Sequence, residues 1–193
     1  MTDVHAPQTF NSPARSDPVS PSAFSVGSST SVQWAVGIGA KGNEGVANNV
    51  IQTKGAIGYV EYAYAKENNM TSISMINKDG KVVAPMAAAF QAAAASADWE
   101  KADSYYVILT DQPGATSWPI AGATFILMYQ QPPNVDNTAA ALKFFDWAYA
   151  QGGKMAEDLD YVPMPKNVVD QIRSTWASQI KTPDGKPVYA AAK

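Results

Sequence analysis

The chain has 193 residues and a mass of 20.5 kDa, enough for one domain or two small lobes. A monomer of this size buries about 70% of its unfolded surface, so a real core is within reach. Hydrophobic residues make up 46% and charged residues 16%, and the formal net charge of -3 comes with no cluster of Lys and Arg, which excludes the basic face that nucleic acid needs. Cys is absent, His occurs once, as His5, and no apolar run reaches the ~18 residues of a membrane span. Thiol chemistry, disulfide frameworks and zinc sites are therefore excluded, and His-dependent triads nearly so. With so little acid–base equipment, a binding module is favoured over an enzyme.

Residues 1–31 hold four Pro and eight Ser with no period of 2 or 3.6. Such a stretch buries too little surface to offset its ordering entropy, and it is expected to be a disordered leader. It has no basic n-region and no apolar h-region, so as written it is no secretory signal and the chain would stay in the cytoplasm. Order is expected from Ser31. Ser31–Gly37 alternates and reads as a strand, Gly37–Asn43 is a glycine-rich turn, and a short helix follows from about Glu44 to Gln52. Ala56–Tyr62 reads as a second strand and Tyr62–Asn69 as a helical turn. Ser72–Ile76 and Lys81–Val83 flank Lys78-Asp79-Gly80, a hairpin signature. Pro85 opens an Ala-rich helix to about Ala97, because its missing donor costs nothing in a first turn.

Gln112-Pro-Gly114 breaks the pattern, and Ala123–Tyr129 is a continuous apolar run that reads as a buried strand. Asn137 and Thr138 are candidate caps for a helix ending at Gly152-Gly153, with Leu142, Phe145 and Tyr149 on one face. A last helix from about Lys166 to Ile180 places Val169, Ile172, Trp176 and Ile180 on one stripe, and Thr182–Pro187 ends it with turn chemistry. Strands alternating with helices predict an α/β architecture.

Gly37-Ile-Gly39-Ala-Lys-Gly42 matches G-x-G-x-x-G, and Glu61 lies 19 residues beyond Gly42, the spacing of a ribose-binding acid. The intervening helix is near the lower limit for a crossover, and a hairpin rather than a βαβ unit follows, so a tight turn is the better reading. Asn43 stands where a P-loop needs Ser or Thr. Glu157, Asp158 and Asp160 form a charge run that reads as a solvated loop. Ser117 lacks a base nearby in sequence, and Phe144–Tyr149 reads as core packing rather than a stacking platform.

Gly37–Gly45 followed by Gly55–Ala65 resembles the phosphate-binding protein family of the bacterial phosphate ABC transporter. Trp118-Pro-Ile, Thr124–Leu127, Leu142–Tyr149, Asp158–Tyr161, Ile180-Lys and Gly185–Tyr189 continue the resemblance in order and spacing over roughly residues 32–189. It implies a truncated α/β fold of the periplasmic binding protein-like II type, without the first part of the first lobe. Residues 32–117 would be part of the second lobe, and residues 118–193 the segment that completes the first lobe. The family closes two lobes on one phosphate and docks on permease subunits, with no cofactor and no metal. Its members are periplasmic.

The family's ligand groups are hydroxyls and N–H groups at helix starts, an Arg, and an Asp that accepts from the protonated anion. They sit mostly outside the resembling part. The nearest is an Arg-Ser-Asp-Gly-Ser-Gly-Thr loop, to which Arg15, Ser16 and Asp17 correspond, with Pro18-Val-Ser-Pro21 replacing the glycines. A second register sets Val4-His5 before the loop and Thr9-Phe10-Asn11 after it. The implied function is binding of inorganic phosphate for transport. The alternatives are a truncated, non-binding interaction fragment, able to self-associate through strands left exposed, and a dinucleotide-binding oxidoreductase.

Overall fold

The computed structural model describes residues 37–189. In chain order these form helix α1 (Gly42–Gln52), α2 (Tyr62–Glu67), strands β1 (Met75–Ile76) and β2 (Val82–Val83), and α3 (Ala87–Ser96). A 3-10 turn at Asp103–Tyr105 follows, then α4 (Val135–Gln151), α5 (Gly153–Asp158) and α6 (Lys166–Gln179). Among the described residues the helices flank one two-stranded hairpin. The expected leader, and the expected strand up to residue 36, lie outside the described residues.

Local chemistry sets most boundaries. β1 and β2 pair antiparallel with Met75 opposite Val83 and Ile76 opposite Val82, around the predicted turn. α3 is built largely from Ala, the best helix former, and starts two residues after Pro85. α4 begins earlier than expected because Asn134, rather than Asn137 or Thr138, is its cap: the Asn134 side chain accepts the N–H of Asn137 at 2.9 Å. α5 was not expected, since two glycines read as a stop. Gly152 instead ends α4 with its N–H on the Ala148 carbonyl and starts α5 with its carbonyl accepting from Ala156.

Three apolar clusters hold the fold. Ala94, Trp99, Leu109 and Val168 join α3 to α6, with Met164 and Ile172 packed around them. Val83, Ala89 and Trp118 join the hairpin to α3. Leu142, Ile180 and Tyr189 join α4 to the chain beyond α6, with Met128 and Trp176 against them. The predicted α6 stripe is therefore inward, and Leu142 is the most buried residue of α4.

Two expectations are corrected. Residues 56–61 form neither a strand nor a helix, and Ile57 is 87% exposed. Their packing partner is α1: a Cβ built on Gly58 would lie 2.6 Å from Val50 Cγ2 and 3.0 Å from Val46 Cγ1. Residues 123–129 likewise form neither a strand nor a helix, and Leu127 is 92% exposed. A run apolar at nearly every position suits a strand covered on both faces. Here Ala123 and Met128 pack inward while Ile126, Leu127 and Tyr129 face out.

Candidate functional site

The glycine turn is the most distinctive local feature, and its geometry follows from its residues. Gly37 and Gly42 adopt φ of 111° and 64°, a region that residues with a Cβ seldom enter. The turn delivers the chain into α1, where Lys41 occupies the cap without a side-chain bond and Glu44 places a carboxylate in the first turn. Asn43 Oδ1 accepts the main-chain N–H of Glu61 at 3.0 Å. Glu61 is thereby held through its backbone, at the cap position of α2. Turn, helix and return segment form one module closed by this bond and by the close approach at Gly58.

The other candidates take structural places. Ser117 is fully buried, and its hydroxyl donates to the Pro113 carbonyl at 2.7 Å. The acidic run is dispersed by ion pairs: Asp158 bonds Lys154 within α5, while Asp160 reaches back to Lys66 on α2. No group of His, Asp and Glu among the described residues is arranged to hold a metal ion. In the aromatic stretch of α4, Tyr149 packs on Trp176 at 5.9 Å, whereas Phe144 and Trp147 are 59% and 48% exposed. The expectation of core packing thus holds for one side of that helix only.

Two polar arrangements had not been singled out from the sequence. Asn77, 5% exposed, uses its whole amide: Oδ1 accepts from Asp79 and Lys81, and Nδ2 donates to the carbonyls of Gly114 and Ser117. An Asn three residues before a turn Gly was the available signal. Asp146 on α4 accepts from Arg173 Nε on α6 at 2.7 Å, and this bond raises the guanidinium above its ordinary value. Burial pushes the hydroxyls of Tyr149 and Tyr189 upward too, with Asp146 adding to the effect on Tyr189. These groups fasten α4, α6 and the segment that follows.

Two depressions on the described surface are wide open to solvent. The larger, about 530 Å³, is lined by Glu100, Lys101, Asp103, Ser104, Gln130 and Gln179. Neither it nor the second, beside Tyr62 and Pro85, contains the glycine turn. Arg15, Ser16 and Asp17, which the family resemblance sets opposite the anion loop, lie outside the described residues, as does His5. No helix among the described residues is long and apolar enough to cross a membrane.

This succession of glycine turn, short helix, return segment, hairpin and packed helices fits a periplasmic-binding-protein-like α/β fold, the class that the sequence predicted. The chain belongs to the PBP superfamily: the model of the PBP superfamily domain matches residues 20–151. Among curated proteins it is similar to Phosphate-binding protein PstS of Pasteurella multocida (strain Pm70), 48% identical over 164 residues, which is 85% of this chain and 48% of that protein. It is also similar to Phosphate-binding protein PstS of Haemophilus influenzae (strain ATCC 51907 / DSM 11121 / KW20 / Rd), 48% identical over 81% of this chain and 47% of that protein. A more distant relative is Phosphate-binding protein PstS of Methanocaldococcus jannaschii, 28% identical over 76% of this chain and 42% of that protein. The chain spans about half the length of the curated relatives it matches.

Proposed function

We propose that this chain acts as the phosphate-binding component of a phosphate ABC transporter, capturing inorganic phosphate in the periplasm and presenting it to permease subunits. The observation that carries this reading is the 48% identity to a named phosphate-binding protein across 85% of the chain. No bond is made or broken in such a task. The ligand stabilises a closed arrangement of two lobes by its differential affinity, and the closed form is what a permease receives. Residues 32–117 would belong to one lobe and residues 118–193 to the other. Lys66 pairs with Asp160 and the Gln91 amide donates to the Pro163 carbonyl, two bonds between these two stretches of the chain.

Arg15, Ser16 and Asp17 are the residues assigned to the anion. A guanidinium supplies a planar pair of donors to two phosphate oxygens, and a hydroxyl supplies a third. A carboxylate selects a protonated oxyanion, because it can only accept. The test is thermal unfolding with inorganic phosphate and with sulfate, since a ligand of the native state raises the midpoint with its concentration. Phosphate is expected to raise it, sulfate to leave it, and Arg15→Ala to abolish the rise. The second reading, an interaction fragment that binds no phosphate, draws on Pro18 and Pro21 standing where the family loop offers glycine N–H groups. No shift with phosphate from a folded chain would leave that reading in place.

A further inference from the structure

Helices α2 and α5 end in the same backbone motif but with different residues. In each, the chain leaves the helix through a residue of positive φ, Asn69 at 50° and Asp160 at 60°. The Asn69 N–H donates to the Lys66 carbonyl and the Met70 N–H to that of Ala65, while Asp160 donates to Glu157 and Tyr161 to Ala156 in the matching pattern. Gly suits the positive-φ position, and Asn is its usual substitute. Asp160 is locally unfavourable there on two counts. Its Cβ is crowded at positive φ, and its negative charge stands beside the carbonyl end of α5, where a cation is the favoured neighbour. The Asp160 side chain is 18% exposed and pairs with Lys66, 94 residues earlier in the last turn of α2.

We propose that Asp160 is kept against the preference of its own helix end in order to tether α2: the Lys66–Asp160 pair is a polar strap that fixes the return segment of the glycine-turn module on the connection between α5 and α6. Lys66 suits the part, because an ammonium in the last turn of α2 also answers that helix's own carbonyl end. One side chain thus serves two helix termini. The neighbouring acid does not share the part, since Asp158 pairs with Lys154 within α5. Neither Lys66 nor Asp160 is a member of the three apolar clusters. The bond can therefore break and re-form while those clusters stay packed, which distinguishes a strap from a core contact.

This inference does not depend on phosphate binding, and its test is separate. In the full 193-residue chain, amide hydrogen exchange reads the strap and urea unfolding reads the helix end. Asp160→Asn keeps a residue suited to positive φ but removes the charge, and Lys66→Met removes the partner. Each should speed exchange at residues 62–70 about threefold, the size expected of a part-exposed pair. Asp158→Asn, which breaks only the pair within α5, should leave that exchange unchanged. High salt should speed it in the parent and not in Asp160→Asn. Asp160→Gly should raise the urea midpoint in the Lys66→Met background, where it removes only strain and an unfavourable charge. In the parent, where the pair is lost as well, it should raise the midpoint less. Unchanged exchange in Asp160→Asn and Lys66→Met would overturn the proposal. So would equal acceleration by Asp158→Asn, or an equal midpoint shift from Asp160→Gly in the two backgrounds.

Discussion

The side chain of Asn43 and the backbone of Glu61 are joined by a single 3.0 Å hydrogen bond that spans 18 residues and closes the glycine-turn module. The bond uses the Glu61 N–H, so the carboxylate is free to change. Glu61→Gln should alter stability by less than about 0.5 kcal/mol. Asn43→Ala, which leaves that donor without its acceptor, should cost about 0.5–1.5 kcal/mol, and Asn43→Asp should retain most of it. Urea unfolding of the three variants separates these outcomes.

Asn77 anchors the hairpin to the loop before Trp118. Asn77→Asp keeps the two accepted bonds but replaces the donating amide with an oxygen facing the Gly114 and Ser117 carbonyls. Asn77→Ala loses all four bonds. Each variant strands buried polar groups, and each is expected to cost at least about 1–3 kcal/mol. Equal stability of either variant and the parent in urea titration would show that the network is loose.

The interior of α4 should be far more sensitive than the exposed residues of segment 123–129. Leu142 is fully buried between Ile180 and Tyr189, and Leu142→Ala should cost about 2–5 kcal/mol through lost transfer energy and the cavity left behind. Leu127→Ala, at 92% exposure, should stay within about 0.5 kcal/mol in dilute protein. Thermal unfolding midpoints at low concentration give the comparison directly.

Tyr149 and Tyr189 are both raised from their ordinary phenol value, first by burial. A group whose folded value lies above its unfolded one stabilises the protein fully below the unfolded value. That contribution is lost as pH rises through the folded value. The chain should therefore lose stability above about pH 10, the unperturbed tyrosine range. Tyr149→Phe and Tyr189→Phe should each flatten that alkaline decline, followed by circular dichroism against pH.

Elements whose signals are local were legible before the structure. Pro85 before an Ala run, Lys78-Asp79-Gly80 between β-rich residues, and the apolar stripe Val169–Ile180 each specify a boundary or a face without distant help. The two misread segments, 56–62 and 123–129, share one cause. Residue type reports whether a backbone can be extended, whereas a strand needs a partner brought from elsewhere in the chain. Asn134 was passed over as a cap because Asn137 and Thr138 offer the same chemistry three and four residues later. The Asp146–Arg173 bond links two helices 27 residues apart, and no periodicity announces it. The candidate site divides in the same way. The glycine turn is visible as a motif, but its tie to Glu61 through Asn43 joins residues 18 apart and leaves no periodic signal. The residues assigned to phosphate, Arg15, Ser16 and Asp17, rest on resemblance alone.

The most direct test of phosphate binding is isothermal titration of the folded 193-residue chain with inorganic phosphate. Saturable heat near one phosphate per chain, at micromolar affinity or tighter and lost in Arg15→Ala, is the expected result. No heat of binding from a chain shown by circular dichroism to be folded would contradict it.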